Sequence, residues 1–296
     1  MAELGRLLTS MITPFQSGGE VDYERAKELA VKLVNSGSDG VVVAGTTGEA
    51  PTLTREEQTK LFEEVRNIVD SNFTVVAGTG SNSTEEAITY THDAEEVGVD
   101  AVLLVTPYYN KPTQEGMYQH FRSIADSTKL PCILYNVPGR TNINLAPETT
   151  VRLSEIPNIV GIKESSANFE QSASIIEQAS EGFLVWSGND ADTFPIMCMG
   201  GYGAIAVATH LIGRQFKGMM NMLLDGSVEG AASEHRRLLP IMTGIYDVTN
   251  PIPIRYLLGV AGFDVGSPRL PLTDPDEETK RVLKELIGKY QVDLTV

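Results

Sequence analysis

Short apolar, β-branched runs recur along the chain at 8–12, 40–44, 74–77, 101–105, 132–135, 159–162, 183–186 and 203–206, and helical-looking stretches separate most of them. In those stretches the apolar positions return every three or four residues. In the first, Tyr23, Ala26, Leu29, Ala30, Leu33 and Val34 share one face of a helix, and Glu24, Arg25, Glu28 and Lys32 share the other. The second begins at Thr54, whose Glu57 fits a capping box, and runs on through Leu61, Phe62, Val65, Ile68 and Val69; Ser83 with Glu86 predicts the same device for the third. Strands that are apolar on both faces and joined by helical crossovers predict a parallel sheet covered on both sides. Eight such units close most naturally into an α/β fold of the (β/α)8 TIM-barrel type, with a doubly wound open sheet as the alternative.

After Asp225 the alternation stops. Residues 228–248, 251–261 and 276–290 read as helices separated by Asn-Pro and Gly/Pro breaks. The expected organisation is therefore a barrel over 1–226 and a C-terminal helical region, 227–296, packed on it.

Composition narrows the function. The 39 acidic and 23 basic residues leave a formal charge of -16, which repels nucleic acid and anionic membrane surfaces. An anionic substrate then has to be met locally by a placed Lys or Arg or by backbone amides. No segment approaches a membrane span or a signal peptide, so the expected location is cytoplasmic. Cys132 and Cys198 lie among apolar neighbours and outside any metal-ligand spacing, and both are expected to be reduced and buried. His92, His120, His210 and His235 form no i, i+4 pair, Gly78-Thr79-Gly80 lacks the rest of a dinucleotide fingerprint, and the expectation is no metal and no cofactor.

In a barrel of this type the reactive groups stand just after each apolar run. Lys163 is the lysine that closes such a run, whereas Lys27, Lys32, Lys60, Lys280 and Lys284 sit on charged helix faces. A lysine at a strand mouth is partly desolvated, which favours the neutral, nucleophilic amine; a lysine snorkelling to solvent is the ordinary alternative. Gly45-Thr46-Thr47-Gly48-Glu49 follows the second run and presents amides and hydroxyls suited to a carboxylate, although taken alone it is a plain strand-to-helix turn. Thr106-Pro107-Tyr108-Tyr109-Asn110-Lys111-Pro112 follows the fourth, with two phenols that suit proton relay or interface packing equally. Tyr135 ends the fifth run, and Arg140 lies just beyond it in a form suited to bidentate carboxylate binding or to a surface ion pair.

Together, Gly45-Thr46-Thr47-Gly48-Glu49, Tyr108-Tyr109-Asn110-Lys111-Pro112, Tyr135-Asn136-Val137-Pro138-Gly139-Arg140-Thr141 and Gly161-Ile162-Lys163-Glu164 resemble the signature set of the dihydrodipicolinate synthase family. Asn250-Pro251-Ile252-Pro253 and Arg269-Leu270-Pro271-Leu272 extend the resemblance into the C-terminal region. The resemblance implies a class I aldolase-type lyase of lysine (diaminopimelate) biosynthesis. Pyruvate would form an imine on Lys163 and be condensed with L-aspartate 4-semialdehyde to 4-hydroxy-tetrahydrodipicolinate. It assigns general acid/base work to Tyr135, with Thr47 and a partner-supplied Tyr109 in relay. Thr46 and Thr47 would hold the pyruvate carboxylate, Arg140 the second carboxylate, and the carbonyls of Gly188 and Ile205 would be further contacts. It also implies a homo-oligomer, a tetramer built from two dimers, with a lysine inhibitor site at Asn82, Glu86 and Tyr108. At that site Ala50, Arg55 and Gln58 depart from the pattern, and the fixed charge of Arg55 is expected to weaken feedback. Sialic acid and ketodeoxy-sugar lyases share the lysine and tyrosine and remain the alternative within enzymes. A non-catalytic barrel is the alternative outside them.

Overall fold

The computed structural model describes residues 4–295. Its strands are β1 (Leu7–Ser10), β2 (Gly40–Val43), β3 (Thr74–Gly78), β4 (Ala101–Val105), β5 (Cys132–Asn136), β6 (Ile159–Glu164), β7 (Leu184–Ser187) and β8 (Gly203–Ala206). Each pairs in parallel with its neighbour in sequence, and β8 returns to β1 to close the barrel. Eight apolar runs thus become eight strands, each within a residue or two of its expected limits.

Strand alternation divides the apolar residues into two cores. One set, including Leu8, Val42, Val76, Leu103, Ile133, Trp186 and Ile205, points inward and fills the barrel. The other, including Leu7, Val41, Val75, Val102, Leu134 and Ile162, points outward against the helices. The floor of the interior is sealed by Trp186, whose indole donates to the Gly5 carbonyl at 3.1 Å. Gly161 makes that seat possible, since a Cβ there would meet the indole at 2.7 Å and the Leu184 carbonyl at 2.3 Å.

The covering helices are α1 (Tyr23–Asn35), α2 (Arg55–Ile68), α3 (Thr84–Val97), α4 (Gln114–Asp126), the short α5 (Pro138–Thr141), α6 (Pro147–Ser154), α7 (Phe169–Gln178), α8 (Thr193–Cys198) and α9 (Thr209–Leu224). The capping box at Thr54 and Glu57 is present in both directions. At α3 only half of it forms: the Ser83 hydroxyl accepts from the Glu86 amide, but the Glu86 carboxylate turns away to Ser81 and to the Tyr90 hydroxyl. Competing donors on the cleft side draw the carboxylate off the helix terminus.

The C-terminal helices are α10 (Val228–Gly244), α11 (Ile252–Val260) and α12 (Glu277–Ile287). α10 packs on α9 and α8 and α11 on α9 and α12, so this region lies against the last barrel units. α10 ends sooner than the expected 248, because residues from Gly244 to Asn250 are weak helix formers and Pro251 disfavours helix at Asn250, and 245–251 becomes a loop. That loop enters the barrel mouth. Among the described residues no helix is long and apolar enough to cross a membrane.

Candidate active site

Lys163 and Tyr135 are register partners on β6 and β5, and both point into the barrel at its C-terminal end. Only 4 % of Lys163 is exposed, and its Nζ lies 4.3 Å from the centroid of the Tyr135 ring. The amine is thus inside the barrel rather than snorkelling to solvent. Gly188, just past β7, completes its seat: a Cβ there would come within 2.9 Å of the Lys163 side chain and 2.0 Å of the Ser165 hydroxyl. Glu164, the next residue, necessarily faces the other way. It is buried between sheet and helices, where Asn136, Gln171 and the Ser166 amide donate to it, and it has no access to the barrel interior.

The turn after β2 is held rigidly. Ala44 and Glu49 both take left-handed backbone conformations (φ 51° and 57°), and the Thr13 hydroxyl donates to the Gly48 carbonyl at 2.7 Å. Glu49 is itself buried in an ion pair with Arg255 of α11, Nε to Oε1 2.8 Å. This fixes Thr46 on the wall of a cleft of about 400 Å³ that Tyr135, Arg140, Gly78 and Leu103 also line. Thr47 is buried beside it, and the Asn250 side-chain amide donates to its hydroxyl oxygen at 2.9 Å. Because that oxygen is already an acceptor, the Thr47 hydrogen is free to point elsewhere, as a relay requires.

Asn250 was visible in the sequence only as part of a motif, with no role attached. It couples two expected site residues, since its backbone carbonyl also accepts from the Arg140 guanidinium at 3.2 Å. Its side-chain oxygen is buried without a partner among the described residues. Asp190 and Tyr246 were missed altogether. Asp190 is buried, accepts from the amides of Val207 and Ala208, and receives the Tyr246 hydroxyl at 3.3 Å. Burial raises its carboxyl to about 6, against the lowering effects of those amides, the Lys163 charge and Tyr246.

Ile205 lies in the inward-facing cluster with Tyr135 and Trp186, two residues before the amides that hold Asp190. Tyr109 is not brought into the site within this chain: it is 91 % exposed, with a left-handed backbone (φ 72°). Tyr108 and Glu86 line the same cleft as Thr46, and Asn82 donates to the Tyr108 carbonyl at 3.1 Å. Gln58 and Ala50 also face this cleft. Arg55 does not. It turns outward into a bidentate pair with Asp93, both contacts 2.6 Å, which offsets part of its charge at the surface.

No histidine serves the site. His120 and His210 are buried, and desolvation lowers both to about 4. Cys132 is buried and its thiol is pushed up to about 12, but Cys198 is exposed, contrary to expectation, because it falls at the end of α8 on the solvent side. Among the described residues no cluster of His, Cys, Asp and Glu is arranged to hold a metal ion.

Residues 3–290 match the model of the dihydrodipicolinate synthetase family. The chain is 54% identical to the 4-hydroxy-tetrahydrodipicolinate synthase of Dehalococcoides mccartyi strain CBDB1 over 296 residues, all of both chains. It is 52% identical to that of Symbiobacterium thermophilum over 293 residues, 99% of this chain and 100% of the other. Among solved structures it is similar to a dihydrodipicolinate synthase of Bacillus anthracis, with a TM-score of 0.96 at 43% identity over 98% of this chain and 99% of that one. It is also similar to the lysine-bound enzyme of Cyanidioschyzon merolae, with a TM-score of 0.94 at 43% identity over 97% and 98% of the two chains. A match that runs from β1 through α12, at these identities, has one meaning: this chain belongs to the dihydrodipicolinate synthetase family.

Proposed function

We propose that the protein is a 4-hydroxy-tetrahydrodipicolinate synthase, which condenses pyruvate with L-aspartate 4-semialdehyde through an imine on Lys163. The observation that carries this is the buried Lys163 amine held against the Tyr135 ring, beside a cleft walled by Thr46 and Arg140. Lys163 attacks the pyruvate carbonyl, and loss of water leaves an iminium that draws electrons from the adjacent methyl group. Tyr135 accepts the methyl proton and passes it on through Thr47, whose hydrogen Asn250 leaves free. The resulting enamine carbon attacks the aldehyde. The amine of the second substrate then adds to the imine carbon, and Lys163 departs as the free amine. Thr46 and Thr47 hold the pyruvate carboxylate, Arg140 holds that of the semialdehyde, and the carbonyls of Gly188 and Ile205 border the reacting carbons.

Tyr109 extends the relay from a second copy of the chain, and the working form is a cytoplasmic homo-oligomer, a tetramer built from two dimers. A side chain 91 % exposed, on a strained loop at the cleft rim, is in keeping with that role. Residues 227–296 then belong to the same catalytic unit as the barrel, because they contribute Asn250. Asn82, Glu86 and Tyr108 are assigned to a lysine inhibitor site with weak feedback. That weakness rests on Ala50, Gln58 and the charge of Arg55, which Asp93 offsets in part.

Borohydride added with pyruvate is expected to trap a single adduct on Lys163, read by peptide mass. Pyruvate consumption is expected with aspartate semialdehyde and not with N-acetylmannosamine or glyceraldehyde. Labelling at another residue, or equal turnover of a sugar aldehyde, overturns the assignment. Tyr109→Phe is expected to lower kcat about 10²-fold or more while pyruvate binding is kept, the usual effect of losing an acid/base group. A near-normal kcat reduces Tyr109 to interface packing.

A further inference from the structure

The second substrate assigned above carries an α-ammonium as well as an α-carboxylate, and Arg140 answers only the carboxylate. The loop 245–251 supplies a group of the opposite sign on the same wall. Tyr246 directs its hydroxyl at Asp190, Oη to Oδ1 3.3 Å, and Asp190 is only 1 % exposed. The other side of that carboxylate is fixed by the Val207 amide at 3.0 and 3.2 Å and the Ala208 amide at 2.6 Å. A phenol that gives its hydrogen to a carboxylate keeps its oxygen lone pairs as acceptors.

The placement of this pair is what matters. Arg140 donates to the carbonyl of Asn250, four residues beyond Tyr246 in the same loop. Asp190 lies two residues past Gly188, which seats the Lys163 side chain, and is held by the amide of Val207, two residues past Ile205 of the inward-facing cluster that contains Tyr135. A guanidinium and a carboxylate-backed phenol are therefore tied to the same loop, 245–251, at the barrel mouth, which is the charge pattern a zwitterion needs. No role in the imine chemistry accounts for a second phenol there.

We infer that Tyr246, with Asp190 behind it, binds the α-ammonium of the aldehyde substrate and selects an amino-acid semialdehyde over an aldehyde that lacks the amine. The inference rests on the reading of the reaction given above. Asp190, raised to about 6, is still mostly ionised at neutral pH. Burial and the charge of Asp190 keep the Tyr246 phenol protonated well beyond the usual tyrosine range. The acceptor is thus a neutral phenol oxygen polarised by an anion.

The test compares L-aspartate semialdehyde with succinate semialdehyde, which lacks only the amine; because that amine also closes the ring and releases Lys163, the rate read is that of carbon–carbon bond formation on the preformed enamine in a single turnover. Tyr246→Phe keeps the ring and removes only the oxygen. The wild-type preference for the amino-bearing aldehyde in the second-order rate of that step is expected to fall about 10- to 100-fold in the variant, mainly through weaker binding of the aldehyde, as for loss of a hydrogen bond to a charged group. A general disturbance of the loop lowers both substrates by the same factor. That result, or an unchanged ratio, overturns the inference while leaving the condensation itself standing. If wild-type protein does not condense aspartate semialdehyde at all, the reading of the reaction falls and takes this inference with it.

Discussion

Replacing Lys163 with methionine is expected to abolish turnover, by on the order of 10⁶-fold in kcat, the size of effect that follows removal of a covalent nucleophile. Methionine suits the site because the lysine stem is already packed, with Gly188 against it. An unbranched thioether fills nearly the same space. The protein therefore folds, and its thermal transition stays at or above that of the wild type, since an ionisable group has left a buried site. Borohydride trapping with pyruvate disappears in the same variant. Lys163→Arg provides the complementary control: it keeps a positive charge but offers no nucleophilic amine, and it is expected to be equally inactive. If either variant retained activity within about 10²-fold of wild type, Lys163 would be an acid/base group at most, and the imine route would be lost. Enzyme, adduct and stability are three separate readouts, so a folding failure is not mistaken for a chemical one.

The residues legible in the sequence are those whose role follows from local pattern. A barrel strand delivers its last residue to the mouth, so the position of Lys163 at the end of an apolar run marked it as a candidate, while a run apolar on both faces left open whether its amine points inward or snorkels to solvent. Tyr135 was marked in the same way. The exposure of Cys198 and the half-formed cap at Glu86 depended on which neighbours arrive from elsewhere, and the pattern around each is silent on that. Asn250 shows the limit most clearly. It bonds to Thr47 across 203 positions of chain, and nothing in the local periodicity near either residue registers the other. Tyr246 falls within a stretch read as helix through 248; the weak helix formers from Gly244 to Asn250 signal an earlier end, but nothing local shows the loop entering the barrel mouth. Arg55 is the converse case. Its charge was plain, but its partner Asp93 lies on the next helix, and the pair offsets part of that charge in a way the local pattern does not register.

Arg255→Met is expected to be the most damaging change outside the chemistry, costing about 3–5 kcal/mol because it strands a buried charge. Arg255 donates to Glu49 through Nε at 2.8 Å, to the carbonyl of Val265 at 3.1 Å, and to that of Thr13, with its guanidinium 4.8 Å from the centre of the Phe15 ring. Without it, Glu49 keeps only the Arg269 amide at 3.1 Å. The side chains of the pair are 2% and 1% exposed, so water does not replace the lost partner unless the turn opens. Glu49 ends the turn that carries Thr46 and Thr47, in a left-handed conformation that only its surroundings sustain. Loss of stability and a raised KM for pyruvate are therefore expected together. In differential scanning calorimetry the single variant should melt on the order of 10 °C below wild type. The double variant Glu49→Gln with Arg255→Met should recover part of the difference, because the stranded charge is gone. If the double variant melts lower than the single one, the penalty comes from lost packing around the guanidinium rather than from an unpaired carboxylate. The C-terminal helices would then hold the Thr46–Thr47 turn by shape alone, and not by the ion pair.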